Sequence, residues 1–154
     1  MTIALDELDK RLLAALQQDA SLTNQALAER VHASPPTCLR RVNRLKEEGI
    51  IERQVALLAP EKMGASLTAI VEITLDHQAT ERLLAFEQSV AQEPAVQQCY
   101  RVSPGPDFVL IIHVKDMPAY HELAHRLFAT QANVRNVRSF FSILRSKFEP
   151  GVVL

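Results

Sequence analysis

Apolar residues recur three and four positions apart in the first third of the chain, which is the spacing of one face of an α-helix. In the first helix that this spacing predicts, Asp6 is the expected N-cap and the end lies near Asp19. Thr23 is the expected cap of a second helix, which ends just before His32. The apolar positions of the two helices are Leu8, Leu12, Leu13, Leu16, Leu27, Ala28 and Val31.

A third helix has the best-marked start in the sequence. Ser34 can accept a hydrogen bond from an unpaired amide of the first turn, and Pro35 fits a position where its missing N–H costs nothing. Gly49 supplies the left-handed residue that commonly follows a helix end, so the helix is predicted over roughly residues 35–48. Its apolar face carries Cys38, Val42 and Leu45.

Positive charge is concentrated on the other side of this third helix. Arg40, Arg41, Arg44 and Thr37 fall within an arc of about 100°. Residues 30–46 include five Lys or Arg and no Asp or Glu, although the net charge of the chain is −1. A solvated helix face is the simplest interpretation of a charge run, but such faces usually mix signs. The concentration therefore favours a polyanion that docks at this helix.

Three short helices with a basic third helix are typical of a helix-turn-helix, in which the last helix enters the major groove of double-stranded DNA. Residues 50–58, IIERQVALL, are rich in β-formers and are expected to form a wing and a hinge. The residues expected to contact the DNA operator are Ser34, Thr37, Arg40, Arg41, Asn43 and Arg44.

The period of the pattern changes from helical to alternating after Pro60 and Gly64, which mark a connection. Apolar and polar residues alternate from Ser66 to Asp76, which predicts a half-buried strand. The elements predicted after it are a helix with Leu83, Phe86 and Val90 inward, strands over residues 96–103 and 108–115, a helix over residues 118–130 and a strand over residues 134–145.

The order βαββαβ is that of a ferredoxin-like sandwich, in which both helices cover one face of an antiparallel sheet. Val109, Ile111, Phe141 and Ile143 indicate that the other face is apolar, and hence that a second copy of the chain covers it. The predicted fold class is α+β. A winged helix-turn-helix over residues 1–53 is followed by a hinge over 54–65 and a ferredoxin-like domain over 66–154.

The cysteines and the apolar runs of the chain indicate where the protein is located. The two cysteines, Cys38 and Cys99, are far apart and unaccompanied, so that neither a disulfide framework nor a CxxC metal site is expected and a reducing cytoplasm is the expected location. We expect no secretory leader and no membrane span, because the longest apolar run, residues 108–112, is far shorter than the roughly 20 residues a span needs.

Two alternatives compete with DNA binding. HELAH, residues 121–125, matches the H-E-x-x-H zinc motif of metallopeptidases, but its histidines fall at the polar edge of their helix and only Glu149 follows as an acid that could be a third ligand. Two surface histidines on an amphipathic helix are the preferred interpretation, and no cofactor is expected. A ligand-binding module that binds no DNA would account for residues 66–147, but it leaves the arginines without a role.

Four stretches together resemble the Lrp/AsnC family of bacterial and archaeal transcriptional regulators. LDELDKRLLAALQQDASLTNQALAERV is similar to the family's first two helices, SPPTCLRRVNRLKEEGII to its recognition helix, ALLAPEKMG to its hinge and SLTAIVEITL to the first strand of its RAM domain. The resemblance spans nearly all 154 residues, and the pattern from Ser34 to Leu45 is its most specific part. It implies regulators of amino acid metabolism or transport that dimerise through their RAM sheets, often assemble into octamers and bind an amino acid effector between RAM domains.

The chain departs from the family pattern at two places. His32 occupies a turn position where the family often has glycine, and histidine tolerates a positive φ better than most residues. The effector loop, usually Val-Ser/Thr-Gly-x-x-Asp-Tyr, here runs from Val102 to Phe108 with its glycine moved one place. A phenylalanine in place of the usual tyrosine favours an effector with an apolar side chain, such as leucine or methionine.

A free amino acid needs N–H or O–H donors for its carboxylate and an acceptor for its ammonium group. We expect Ser103 and Gly105 to offer backbone donors and Asp107 a carboxylate. Ser139, at a position where the family usually has threonine, is expected to offer a hydroxyl, and Pro104 to stiffen the loop. The alternative is that SPGPD, residues 103–107, is an ordinary tight turn.

Overall fold

The computed structural model describes residues 4–64 and 67–154. Ala65 and Ser66, at which the predicted hinge ends and the predicted strand begins, lie outside the described residues. The chain divides into two compact units, one formed by the residues up to Leu57 together with Phe148–Leu154, the other by Leu58–Lys147. The last seven residues thus belong with the N-terminal unit, whereas the sequence-based division placed them in the C-terminal domain.

Three helices form the N-terminal unit: α1 (Glu7–Gln18), α2 (Asn24–Val31) and α3 (Pro35–Glu47). Each predicted cap is present, because the side chains of Asp6, Thr23 and Ser34 accept hydrogen bonds from first-turn amides. The helices bury a common apolar core. It includes Leu12, Ala15, Leu27, Ala28, Val31, Cys38 and Val42.

The predicted wing is not a strand. Residues 52–59 have no regular secondary structure, and Val55, Leu57 and Leu58 are exposed. A strand is stable only where its backbone N–H and C=O groups pair with another strand, and none of the four described strands pairs with this segment. The β-forming residues alone therefore did not produce a strand.

The C-terminal unit is a four-stranded antiparallel sheet with two helices. Its strands lie in the order β2-β3-β1-β4, as in the predicted ferredoxin-like arrangement. A π-helical turn, His125–Ala129, extends the second of the helices, which was predicted as one regular segment. The elements are β1 (Leu67–Leu75), α4 (Thr80–Ala91), β2 (Val96–Arg101), β3 (Phe108–Val114), α5 (Met117–Ala124) and β4 (Val134–Phe141).

Alternate residues of β1 and β3 form the core between the sheet and the helices. The rings of Phe86 in α4 and Phe108 in β3 lie 4.8 Å apart. The fully buried strand residues are Ala69, Val71, Ile73, Leu75, Phe108, Leu110 and Ile112.

The opposite face of the sheet is partly apolar, but not with all the residues that the sequence indicated. Phe141 pairs with Ala69, so it lies on the helix-covered face, where its ring packs edge-on against Tyr120 at 5.0 Å. Phe140 takes its place on the open face, opposite Ile70. Ile143 lies beyond the end of β4 and is fully exposed. Adjacent residues of a strand point to opposite faces, so the one-residue register decides which phenylalanine is inside.

Candidate DNA-binding and effector sites

The outward face of α3 is centred on Arg40 and Asn43, which are both exposed. No hydrogen bond or ion pair engages either side chain within the described part of the chain. Leu39, on the flank of the same face, is 52% exposed. This face is available for contact with a macromolecule, and it carries a cation, an amide and an apolar side chain side by side.

Arg41 and Arg44 are turned away from that face towards α1. Nη1 of Arg41 donates to Oδ2 of Asp6 at 2.6 Å and to the two carboxylate oxygens of Asp9 at 3.1 and 3.3 Å. Nη2 of Arg44 donates to Oδ2 of Asp9 at 2.6 Å, and its Nε lies 3.7 Å from Glu48. Two of the three arginines predicted to contact DNA are therefore engaged in ion pairs within the domain.

Asp6 and Asp9 also cap α1, which fixes their position. The side chain of each accepts a hydrogen bond from the backbone N–H of the other, at 3.2 and 2.9 Å, in a capping box. The hydrogen bond from the Asp9 amide, followed by the Arg41 guanidinium, holds the pKa of Asp6 below its usual value. The Asp6 carboxylate in turn raises the pKa of Arg41.

The sequence does not indicate these two acids as partners of Arg41 and Arg44, because helical spacing relates only residues of one helix. Asp6 was recognised as a cap, but Asp9 lies 32 residues before Arg41 and nothing in the spacing connects them. The signal that points to Asp9 is its position: it is a carboxylate in the first turn of α1, on a side that is otherwise apolar.

Ser34 and Thr37 begin α3 and bond mainly to each other. The hydroxyl of Ser34 accepts from the Thr37 amide at 3.4 Å and donates to Oγ1 of Thr37 at 2.8 Å. The side-chain amide of Asn24 donates to the carbonyl oxygen of Pro35 at 2.8 Å, which joins the starts of α2 and α3. The first turn of α3 is thus fixed, while its hydroxyl groups stay at the surface.

The candidate effector loop connects β2 and β3. Ser103, Pro104 and Gly105 are exposed, and Gly105 has a φ of 121°, which a residue with a side chain rarely adopts. Oδ2 of Asp107 accepts from the backbone N–H of Leu75 at 2.7 Å and from the side chain of Gln78 at 3.4 Å. One oxygen of the Asp107 carboxylate therefore fixes the loop against the end of β1.

Ser139 lies away from this loop within one chain. It pairs with Val71 on the helix-covered face of the sheet and is hydrogen-bonded to the hydroxyl of Tyr120. Burial raises the pKa of Tyr120. Val71, which Ser139 faces, and Leu75, which Asp107 holds, are four residue steps or about 14 Å apart along β1, so Ser139 and the Asp107 carboxylate lie at different levels of the sheet.

The HELAH histidines do not form a metal site with their surroundings. His121 and His125 are exposed on the outer side of the second helix. In residues 4–64 and 67–154, no three or more His, Cys, Asp or Glu residues lie where they could hold a metal ion together. Among the same residues, no helix has the length and apolar character needed to cross a bilayer.

Two family models match the two parts of the chain. Residues 5–52 match a winged helix-turn-helix DNA-binding domain, and residues 68–152 match the Lrp/AsnC ligand binding domain. The fold and the exposed basic helix thus define a helix-turn-helix regulator with a separate ligand-binding domain. The chain belongs to the Lrp/AsnC family, whose members are transcriptional regulators and not enzymes.

Individual proteins are similar over most of their length. The DNA-binding transcriptional activator DecR of Escherichia coli is 38% identical over 94% of this chain and 95% of its own. The leucine-responsive regulatory protein of E. coli is 37% identical over 88% and 83%. A transcriptional regulator from Neisseria meningitidis, solved as a complex with L-methionine, has a TM-score of 0.91 and 30% identity over 97% of both chains. The protein is a DNA-binding transcriptional regulator with an amino-acid-binding domain.

Proposed function

We propose that this regulator recognises a two-fold symmetric DNA operator through α3 and alters its binding when an apolar amino acid, leucine or methionine, occupies the C-terminal domain. It acts in the cytoplasm on genes of amino acid metabolism or transport. The single observation that carries the DNA-binding part is the exposed, unengaged pair Arg40 and Asn43 at the centre of the outward face of α3.

Each residue of that face has a distinct contribution. Arg40 can bond a guanine edge with two N–H groups or hold a phosphate, and Asn43 matches the donor and acceptor of an adenine edge. Ser34 and Thr37, at the start of α3, offer hydroxyl groups and backbone N–H groups to a phosphate. Arg41 and Arg44 act mainly by fixing the helix against α1, since their Nη atoms are bonded to Asp6 and Asp9.

A second copy of the chain covers the open face of the sheet. Ile70, Tyr100 and Phe140 are exposed there and surround an ion pair of 3.2 Å between Glu72 and Arg138. Burying such a patch in a symmetric dimer removes apolar surface from water, and the dimer presents two α3 helices to successive major grooves. Dimers assemble further, up to octamers, as the family resemblance implies.

The effector binds at an interface between C-terminal domains. Asp107 still has one carboxylate oxygen for the ammonium group, and the exposed residues Ser103 and Gly105 offer backbone N–H groups to the carboxylate, with Pro104 limiting the motion of the loop. Ser139 reaches the same ligand from another copy, because within one chain it faces Val71, four residue steps along β1 from the Leu75 amide that Asp107 holds. The similar N. meningitidis regulator, solved with L-methionine, supports an apolar amino acid as the effector.

Selection from random duplex DNA, with and without a mixture of the twenty amino acids, tests the whole proposal. We expect enrichment of a two-fold symmetric site whose half-sites lie about 10 base pairs, or a multiple of this, apart. Enrichment of no sequence would contradict operator recognition, and enrichment that is the same with and without amino acids would contradict the effector response.

The substitution Asp107→Asn tests the effector site without disturbing the loop. An asparagine oxygen still accepts from the Leu75 amide, but the charge that attracts an ammonium group is gone. The parent should melt at a higher temperature with millimolar leucine or methionine, since a ligand at 100 times its Kd stabilises by about 2.7 kcal/mol. An equal shift in Asp107→Asn and the parent would remove Asp107 from the site.

A further inference from the structure

The N-terminal unit holds a buried acid directly behind its recognition helix. The side chain of Asp9 is 1% exposed, and carboxylates are rarely buried unless they are paired. A negative charge in a domain that binds a polyanion works against long-range attraction. The position of Asp9 therefore calls for a reason beyond capping α1, which exposed Asp6 also does.

Asp9 gathers two arginines that would otherwise add to the cationic face. It accepts from Arg41 at 3.1 and 3.3 Å and from Arg44 at 2.6 Å. Their side chains are 22% and 37% exposed, so each remains near the surface while its head group points to α1. Released from Asp9, both are long enough to turn outward beside Arg40.

The two guanidinium groups are incompletely bonded where they are. The Nε atoms of Arg41 and Arg44 are buried and have no hydrogen-bond partner among the described residues. A buried donor without a partner is destabilising. Within the described structure the arginines are held in this orientation by Nη contacts to Asp6 and Asp9, with Glu48 3.7 Å from Nε of Arg44, and Asp9 is the acid that bonds to both.

We propose that Asp9 is a positioning and specificity-determining residue for DNA binding: it restrains Arg41 and Arg44 from the phosphate backbone, so that the contacts of α3 are made by Arg40 and Asn43. The inference rests on the proposed function and deepens it. Phosphate contacts strengthen binding to every sequence alike, whereas base contacts discriminate. Restraining two arginines thus lowers binding to non-operator DNA and preserves the difference between sites.

The substitution Asp9→Asn keeps the shape of the side chain and removes the charge. Each arginine that then reaches a phosphate should steepen the dependence of log K on log salt by about 0.9. At 0.1 M salt, one such contact should raise the affinity for non-specific DNA on the order of tenfold. Affinity for the selected operator should rise less, or fall, because a less firmly held α3 aligns its base contacts less well. The ratio of specific to non-specific affinity should fall about tenfold or more.

The measurement is a salt titration of binding by the full-length chain to the selected operator and to a scrambled duplex of equal length. Glu7→Gln is the matched control, because it removes the same charge from α1 at an exposed residue that pairs with Lys10 and with neither arginine in the described structure. In the double variant Asp9→Asn with Arg44→Gln, the salt dependence should return towards that of the parent. Asp6→Asn keeps a good cap and removes one of the two carboxylates that hold Arg41, so it should change the ratio in the same direction but less.

The outcomes separate a positioning role from a purely structural one. If Asp9→Asn lowers affinity for both duplexes in proportion to the folded fraction, measured by circular dichroism, the inference is overturned. It is also overturned if Asp9→Asn changes the salt slope no more than Glu7→Gln does. Should Asp9→Asn not fold, an unchanged ratio in Asp6→Asn has the same consequence. Absence of binding by the parent to any duplex would overturn the proposed function itself.

Discussion

Replacing His32 with glycine should stabilise the N-terminal unit. His32 ends α2 with a φ of 54° and a ψ of 52°, in the left-handed region. It is the residue through which the chain turns into α3, and its backbone and that of Ala33 donate to Glu29 and Ala28 at 3.3 and 3.0 Å. Glycine can keep these hydrogen bonds, and the exposed imidazole forms no hydrogen bond in the described structure.

The expected gain follows from two opposing contributions. A residue with a Cβ in the left-handed conformation costs about 1–2 kcal/mol, and histidine lies towards the lower end because it is enriched there. Glycine removes that cost, but it loses more conformational freedom on folding, and this entropic cost offsets about 0.5–1 kcal/mol of the gain. The free energy of unfolding should therefore rise by about 0.5 kcal/mol, which corresponds to a rise of about 2–4 °C in Tm for a unit of this size.

The assay is differential scanning calorimetry of the full chain. The transition of the N-terminal unit is the one that disappears in a destabilised variant such as Leu12→Ala. Gly49→Ala is the reverse exchange after α3: Gly49 has a φ of 71°, and an added Cβ would meet no atom within 4 Å, so its cost is confined to the backbone. His32→Val should lower the Tm, since a β-branched residue is least tolerant of positive φ. A His32→Gly protein that melts at or below the parent, while Gly49→Ala also melts lower, would refute the reasoning.

Three further predictions concern other parts of the molecule. Arg40→Ala should weaken DNA binding and reduce the salt slope by about one unit while the Tm stays unchanged. Arg41→Ala should instead lower the Tm, because Asp6 and Asp9 lose a partner, and an equal Tm in the two variants would contradict this. Burial, and after it the charge of Arg145, lowers the pKa of His113 below 6.5 in the folded state, so the unfolded chain binds a proton more readily. The free energy of unfolding, measured with urea, should therefore fall as the pH drops through about 6.5, and this fall should be smaller in His113→Gln. Phe108→Ala, at a fully buried residue, should destabilise the C-terminal unit by about 3–5 kcal/mol in the same assay, and a loss below about 1 kcal/mol would show that the core refills the space.

Much of the secondary structure followed from local sequence. Asp6, Thr23 and Ser34 cap the three helices as predicted, because a cap is formed by residues only a few positions apart. The order βαββαβ was also predictable, since alternation and helical spacing are properties of single segments and few topologies accommodate that order. Within the site, the exposed position of Arg40 and Asn43 on α3 follows from the same helical spacing.

What the sequence did not determine depends on distant residues. Residues 50–58 have β-forming composition, but a strand needs a partner, and composition does not supply one. Phe140 and Phe141 are indistinguishable by composition, and only the pairing of β4 with β1 decides that Phe141 faces the helices. The carboxylate that bonds to Nη atoms of both Arg41 and Arg44 belongs to Asp9 in α1, at least 32 residues away in the chain. The position of Ser139 relative to Asp107 is likewise set by the strand register. Local hydrogen bonds and periodicity thus determined the elements, whereas ion pairs and strand register, which require two remote segments to meet, were decided by the tertiary structure.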